Sequence, residues 1–132
     1  MANQFVHHTP GTIRAPFANY SHGVELPPGA RIIVCSGQLG ITAEDSIPEG
    51  SEAQTDLIFG NIAEILASAD MELSDIVRIN AYVSDRDYLA GYMRARDRYV
   101  CDPPPASTLM IVSGFARPEF VVEIPQLSPK HS

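Results

Sequence analysis

The sequence predicts an α+β domain in which two helices cover one face of a mixed β-sheet. Three observations support this fold class: two segments with apolar residues at helical spacing, about five segments rich in β-branched residues, and Pro- or Gly-containing turns between them. The 132 residues, 45% of them hydrophobic, suffice for one domain with its own core. We therefore expect a single domain over residues 1–132.

The first part of the chain is predicted to hold two strands. Residues 1–20 contain three turn-forming residues and are expected to be irregular, and residues 22–26 are expected to form a short strand. Residues 31–36 are rich in β-branched residues and predict a strand that ends at Gly37. Because its apolar run is continuous, we expect this strand to be buried on both faces.

A helix is predicted after a polar loop over residues 40–50. Ser51 and Gln54 have the spacing of a capping box, and the helix is expected to end near Asp70. The residues that predict its buried face recur at helical spacing: Leu57, Ile58, Ile62, Ile65, Leu66 and Ala69.

Residues 76–84 alternate between apolar and polar side chains and predict a half-buried strand. A second helix is predicted over residues 88–100, with Asp85 or Asp87 as its cap. Its expected buried face consists of Leu89, Tyr92, Met93, Tyr99 and Val100.

The last part of the chain is predicted to form two more strands. Three consecutive prolines, residues 103–105, must end the second helix. Strands are predicted over residues 107–113 and 120–124, joined by a turn over residues 114–119, and the tail from Pro125 is expected to be loose. Because two helices cover only one sheet face, we expect the other face to bind a partner chain.

Charge and composition exclude several classes of protein. Sixteen acidic residues against nine Lys and Arg give a net charge of −7, which disfavours a nucleic-acid partner because phosphate binding needs clustered basic residues. No segment approaches the roughly 18 apolar residues of a membrane span, and residues 1–10 lack the features of a secretion signal. Cys35 and Cys101 are too far apart for a redox or metal-binding pair. We expect a cytoplasmic protein with reduced thiols, no metal site and no membrane contact.

Two places in the sequence are candidates for chemistry. Ser36, Gly37 and Gln38 lie at the end of a predicted strand, where loops present polar groups to ligands, although on the residues alone ordinary turn chemistry is the favoured explanation. Glu123 stands between two apolar residues of the last strand, and Arg117 lies in the turn before it. A carboxyl group among apolar neighbours suits general acid–base work. The alternation fits a solvent-facing Glu123 just as well.

An ordered set of short motifs spanning about residues 13–125 resembles the RidA/YjgF/YER-type family, also called the endoribonuclease L-PSP family. The set comprises Tyr20-Ser21, Ser36-Gly37-Gln38, Ala53-Gln54-Thr55, residues 73–78, Pro104-Pro105-Ala106 and Val122-Glu123-Ile124. The resemblance implies a chorismate-mutase-like sandwich that assembles as a homotrimer with a central barrel. It also implies three ligand clefts between subunits.

The activity implied by the resemblance is hydrolysis of small reactive enamines and imines, such as 2-aminoacrylate, to 2-oxo acids and ammonia. No metal or organic cofactor is implied. Tyr20, Ser36 and Glu123 fall at the family's catalytic cleft positions, with Gly37 and Gln38 beside them.

The chain departs from the family pattern at the position that holds the substrate carboxylate. Active deaminases of the family have Pro-Ala-Arg, whereas this chain has Ser107 in the Arg position and Leu109 two residues later. A charge-assisted contact of this kind contributes about 1.5–3 kcal/mol, so its loss predicts a substrate other than 2-aminoacrylate. We expect Ser107, Leu109 and Arg117 to contact the ligand, with Arg117 or Arg14 as the replacement cation.

Two functions remain open. The first is a cofactor-free, deaminase-like hydrolase of small reactive enamine or imine metabolites. The second is a non-catalytic trimeric protein that binds or senses a small molecule in the same clefts. A ribonuclease, which the family label suggests, is disfavoured by the net charge of −7.

Overall fold

The protein has a four-stranded mixed sheet covered on one face by two helices, which confirms the predicted α+β class. The computed structural model describes residues 5–130. The elements in chain order are β1 Val6–His8, β2 Gly23–Glu25, β3 Arg31–Leu39, α1 Ser51–Ala67, β4 Arg78–Val83, α2 Leu89–Tyr99, β5 Ala106–Ile111 and β6 Val122–Lys130. Single turns of 3₁₀ helix at Leu73–Asp75 and Arg86–Tyr88 precede β4 and α2.

The main sheet has the strand order β3-β6-β4-β5. Its β4 and β5 are parallel, and its other neighbours are antiparallel, while β1 and β2 form a separate antiparallel pair. The register of β3 against β6 shifts between Cys35 and Gln38. Because a bulge accommodates the extra residue, β3 continues to Leu39, and the predicted strand end at Gly37 is wrong.

The hydrophobic core lies between the helices and one sheet face, called here the helix face. It consists of the buried residues of α1 and α2 together with alternate residues of β4 and β6: Ile58, Phe59, Ile62, Leu66, Ile79, Ala81, Val83, Tyr92, Val122 and Ile124. The alternation predicted for β4 is confirmed, since its apolar residues are buried and its polar ones are half-buried.

The other sheet face, called here the open face, has no helix over it. Ile32 and Val34 of β3 are 50% and 77% exposed there, and Met110 of β5 is 53% exposed. The prediction that residues 31–36 are buried on both faces is therefore wrong for this chain taken alone. The continuous apolar run reflects a face without cover in the single chain, and the trimeric barrel stays a prediction.

Three further differences concern the ends of the chain and the start of α1. Val6–His8 forms β1, so the irregular segment predicted over residues 1–20 is interrupted; residues 1–4 lie outside the described part. The tail predicted to be loose from Pro125 is the greater part of β6. Pro125 fits into this central strand because it lies opposite the bulge of β3, where the ladder of hydrogen bonds is already interrupted.

The start of α1 is held by side-chain contacts other than the predicted capping box. Gly50 is the N-cap, and Gln54 points into the protein, where its amide nitrogen donates to the backbone oxygens of Pro48 (2.9 Å) and Glu119 (2.8 Å). Its amide oxygen accepts from the backbone N–H of Val121 at 3.0 Å. Gln54 thus joins α1 to the segment that leads into β6.

The two helices meet at the first turn of each. A Cβ atom at Gly91 of α2 would overlap Ser51 Oγ and lie 3.1 Å from the backbone nitrogen of Glu52. This close approach requires glycine and fixes the position of α2 against α1.

Candidate functional site

The site residues predicted from the sequence form two groups on opposite faces of the sheet. Tyr20, Ser107 and Leu109 line a cleft on the helix face, between α2, β5 and the segment that precedes β2. Ser36, Gly37 and Glu123 lie on the other side, around the bulge of β3, whereas Gln38 follows the bulge and pairs with the core residue Ile124.

The helix-face cleft has a volume of about 310 Å³. Its wall includes Phe17 and Tyr20 from the segment before β2, Tyr92 and Arg96 from α2, and Ser107 and Leu109 from β5. Ser107 and Leu109 are in register with Ile79 and Ala81 of the core, which places them on the same sheet face as the helices.

Backbone hydrogen bonds hold the Phe17–Ser21 side of the cleft against β5. The backbone N–H of Ser21 donates to the oxygen of Pro105 at 3.0 Å, and the Ser21 hydroxyl donates to the oxygen of Pro104. The Tyr20 hydroxyl accepts from the backbone N–H of Phe17 at 3.2 Å. Tyr20 is therefore positioned by its own loop before any ligand arrives.

Arg96 is the cleft residue that the sequence prediction missed. Its side chain is 2% exposed, donates to the backbone oxygen of Asn19 at 2.6 Å and forms an ion pair with Asp97 at 3.2 Å. The signal was present in the sequence: Arg96 follows Tyr92 by four positions and Met93 by three, so it belongs to the buried stripe of α2.

Tyr92 is a second cleft residue that was not predicted. The sequence analysis assigned it to the buried apolar face of the second helix, although its hydroxyl is polar. It is 1% exposed, and its hydroxyl has no hydrogen-bond partner within residues 5–130. Burial raises the pKa of Tyr92 to about 12, against the opposing effect of the nearby Arg96 guanidinium. Tyr92 therefore remains a neutral hydrogen-bond donor at physiological pH.

The open-face group is arranged around Gly37. A Cβ atom at this position would overlap the Glu123 carboxylate, so the half-buried carboxylate occupies the space that a side chain would fill. Gln38 Nε2 donates to the backbone oxygen of Ser36 at 3.2 Å, and Ser36 is exposed. Within the described part of the chain, the Glu123 carboxylate makes no hydrogen bond or ion pair.

The two candidate replacement cations differ in their positions. The Arg14 guanidinium stacks 3.7 Å above the ring of Phe17, which lines the helix-face cleft. Arg117 is exposed and stacks at 5.9 Å on Phe120, outside the residues that line the cleft. Arg14, but not Arg117, thus contacts a residue that lines the cleft.

One chain does not bring the two groups to a single ligand. Glu123 alternates with Val122 and Ile124 of the core, so its side chain is on the open face, whereas Tyr20 and Ser107 are on the helix face. The strands β6 and β5 are also separated by β4, a distance of about 10 Å between backbones.

The two cysteines of the chain belong to neither group of candidate residues. Cys35 and Cys101 are free thiols, and burial together with the Glu72 and Asp75 carboxylates raises the pKa of Cys101, which disfavours a nucleophilic thiolate. No three His, Cys, Asp or Glu side chains in this range gather as metal ligands, and none of its helices is long and apolar enough to cross a membrane.

Comparisons with known proteins agree with the fold. The family model described as Endoribonuclease L-PSP matches residues 12–128. Over 77 residues, the chain is 32% identical to the mitochondrial protein mmf2 of Schizosaccharomyces pombe, a match that covers 58% of this chain and 61% of that protein. The chain therefore spans less than two thirds of this relative's length.

Two solved structures have the same fold at higher coverage. A protein of unknown function of the conserved Rid family, YyfB from Yersinia pestis, superposes with a TM-score of 0.80 at 26% identity and covers 94% of this chain and 97% of its own. RidA from an Antarctic Psychrobacter species superposes with a TM-score of 0.70 at 29% identity, covering 86% of this chain and 90% of its own. The chain belongs to the endoribonuclease L-PSP family, whose members include the Rid proteins.

Proposed function

We propose that the protein is a cofactor-free hydrolase of small reactive enamines and imines, and that it acts in clefts between the subunits of a homotrimer. Glu123 is the acid–base residue, and Tyr20 and Ser36 orient the water and the substrate nitrogen. Gly37 and Gln38 shape the cleft, and Ser107 and Leu109 line it. Arg117, which lies outside the cleft of the single chain, is assigned to contacts made across subunits.

The observation that supports this proposal is the division of the candidate residues between two sheet faces. Glu123 and Ser36 lie on a face that also exposes Ile32, Val34 and Met110. An apolar sheet face of this kind is covered by association in a stable protein. When a second copy covers it, the open-face group of one subunit is brought against the neighbouring chain, where the helix-face cleft of that copy completes the site.

The chemistry needs one proton-transfer group and one water molecule. An enamine first takes a proton on carbon and loses one from nitrogen, and so becomes an imine. The water oxygen then bonds to the imine carbon, the π electron pair moves to nitrogen, Glu123 donates a proton to nitrogen and takes one from the attacking water, which leaves a neutral carbinolamine. Glu123 then donates this second proton to nitrogen, the C–N bond breaks with release of ammonia, and the hydroxyl returns its remaining proton to Glu123 as the carbonyl forms.

A second function is supported by a specific observation. Ser107 stands in the cleft where active deaminases have an arginine, and a hydroxyl does not replace a bidentate guanidinium. A protein that binds or senses a small molecule without turnover is consistent with this substitution. RNA cleavage is disfavoured because a net charge of −7 repels the phosphate backbone.

The test measures pyruvate release from 2-aminoacrylate generated in situ. The reactions compared contain wild-type protein, Ser107→Arg, Glu123→Gln or no protein. Acceleration by the wild type that is lost in Glu123→Gln supports the hydrolase. Acceleration by Ser107→Arg alone shows a catalytic scaffold with a different natural substrate. If neither the wild type nor Ser107→Arg accelerates release, hydrolysis of 2-aminoacrylate is contradicted and the binding function is favoured.

The cytoplasmic location and the trimer belong to the same proposal. The name of the mmf2 relative places that protein in mitochondria, so fractionation of the source cells is the direct test of location. A trimer predicts a solution mass three times the chain mass of 14.3 kDa by light scattering, and a mass of one or two chains contradicts it.

A further inference from the structure

The helix-face cleft contains a buried positive charge that its protein neighbours balance only in part. Arg96 is 2% exposed, whereas its ion-pair partner Asp97 has a side chain that is 52% exposed. The second contact of the guanidinium is a neutral backbone oxygen, that of Asn19. Burying a guanidinium is costly unless an anion compensates it, and a half-exposed carboxylate at 3.2 Å does so weakly.

The Arg96 guanidinium has N–H groups that are not used in these two contacts. An arginine side chain has five N–H groups in a planar fork, and the contacts to Asn19 and Asp97 use two of them. The spare donors belong to a residue in the wall of the cleft. A carboxylate or an oxyanion of similar shape is the ligand group that this fork binds best.

Tyr92 supplies a second observation at the same place. Its hydroxyl is buried in the cleft one helical turn before Arg96 and makes no hydrogen bond of acceptable geometry within residues 5–130, although the Arg96 guanidinium is close enough to favour the ionised form of the phenol. An unsatisfied buried hydroxyl destabilises the folded state, because it loses its hydrogen bond to water without a replacement. A neutral phenol next to a guanidinium is suited to donate to the same acceptor group.

The other cationic side chains of α2 do not have this arrangement. Arg94 and Arg98 are exposed and pair with acidic residues of α1: Arg94 with Glu52 at 3.0 Å, and Arg98 with Glu52 at 3.0 Å and Asp56 at 2.7 Å. Their charges are compensated within the chain. Arg96 therefore differs from its neighbours in burial, in partners and in its place in the cleft.

We propose that Arg96 and Tyr92 together bind the carboxylate of the ligand, so that helix α2 supplies the anion contact for which strand β5, with Ser107, has no charged group. Both are binding and specificity residues. The inference rests on the proposed function for the site: it adds the residues of α2 that hold the anionic group of the ligand there, and it applies equally to a ligand that is bound without turnover.

The test compares binding of pyruvate and of pyruvamide, its uncharged counterpart of similar shape, by calorimetry. No turnover is measured, so failure of the hydrolase proposal leaves this experiment intact. The variants are Arg96→Gln, Arg96→Lys and Tyr92→Phe. Arg94→Gln is the matched control, because it removes the same charge from the same helix outside the cleft.

We expect wild-type protein to bind pyruvate in preference to pyruvamide. Arg96→Gln is expected to weaken pyruvate binding about 10- to 100-fold and to abolish the preference, the effect of losing a charge-assisted contact. Arg96→Lys retains the charge without the fork and should fall between the two, while Arg94→Gln should match the wild type.

Tyr92→Phe keeps the proposal falsifiable if the Arg96 variants fail to fold. It should weaken pyruvate binding several-fold without lowering the melting temperature of the unliganded protein, because it removes an unsatisfied buried hydroxyl. The proposal is overturned if wild-type protein does not bind millimolar pyruvate or binds both compounds equally. It is also overturned if Arg96→Gln weakens both equally, as displacement of the Asn19 loop alone would do, or if Tyr92→Phe leaves pyruvate binding unchanged.

Discussion

The helix-face cleft and the open-face group differ in how completely a single chain builds them. In the cleft, Tyr20, Tyr92 and Arg96 are held by a loop, a helix and backbone hydrogen bonds of the same chain. On the open face, Glu123 lies over Gly37 in a half-buried position with apolar neighbours left uncovered. The first region is formed by folding of one chain, whereas the proposed function requires association to make a site of the second.

This difference separates ligand recognition from chemistry. The groups suited to hold an anion are buried within one chain, whereas under the proposed function the site around the Glu123 carboxyl group is completed by a neighbouring copy. A protein arranged in this way binds before it can catalyse, and its activity depends on its concentration when the assembly dissociates.

The largest effect is expected for Val34→Glu, which breaks the open-face region. Val34 is 77% exposed in the single chain, so a charge there costs the isolated fold little but is buried without a partner in an assembly. Light scattering should show loss of the oligomer, and hydrolysis should fall to background while the Arg96-dependent preference for pyruvate remains. Ala90→Glu, on an exposed helix position, is the control. An unchanged oligomer would remove the open face from the interface.

Gln54→Ala is expected to give the largest loss of folding stability. Its amide bonds the oxygens of Pro48 and Glu119 and the N–H of Val121, and its removal leaves these backbone groups unsatisfied beside the start of β6. We expect the free energy of unfolding to fall by about 3 kcal/mol, measured by urea denaturation. Gln54→Glu keeps the Val121 contact but buries a carboxylate against the oxygens of Pro48 and Glu119, so it should cost at least as much. A loss below about 1 kcal/mol for Gln54→Ala would contradict this role.

Gly37→Ala tests the Glu123 position with a smaller change. The added methyl group overlaps the carboxylate, a flexible side chain that can move aside, so the fold should survive with a small loss of stability. Hydrolysis should fall about tenfold or more, because Glu123 is displaced from its working position. Gly60→Ala, where a methyl group meets no neighbouring atom, is the control. Full activity of Gly37→Ala would separate Glu123 from the chemistry.

The smallest effect concerns Tyr92 at high pH. Its pKa is about 12 in the folded protein and about 10 in the unfolded chain, so between these values the unfolded state has lost a proton that the folded state retains. Stability from this group is therefore complete below pH 10 and is lost as the pH rises towards 12. At pH ~11, the free energy of unfolding of the wild type should have fallen by about 1 kcal/mol more than that of Tyr92→Phe. Denaturant titration of both proteins measures this difference. Parallel profiles for the two proteins would contradict the raised pKa.

The sequence was sufficient to predict the fold class and most elements, because periodicity depends on local side-chain order. The alternation of β4 and the apolar stripe of α1 are visible in the sequence because both elements contribute one side to the same core. The extension of β6 beyond Pro125 was not predictable from local rules, since the proline is tolerated only because it lies opposite the bulge of another strand. Long-range register of this kind has no local signal.

The sequence predicted several residues of the candidate site but not their arrangement in space. Motifs pointed to Tyr20, Ser107 and Glu123, but position along the chain does not reveal that a sheet lies between Glu123 and the other two. Arg96 was not included in the predicted buried face of α2, although its helical spacing from Tyr92 places it there. A charged residue at a core position of a helix indicates a partner and should be counted with the core.

The contact of Gly91 with Ser51 has a consequence for how the cleft can change. Tyr92 directly follows Gly91 in α2, and Arg96 lies little more than one helical turn further on, so the spacing between the two helices sets where both residues point. Any larger side chain at position 91 displaces α2 as a stiff unit and alters the width of the cleft without replacing a group that meets the ligand. Substitution at position 91 could therefore change the size of ligand that fits the cleft. The residues that contact the ligand would stay the same.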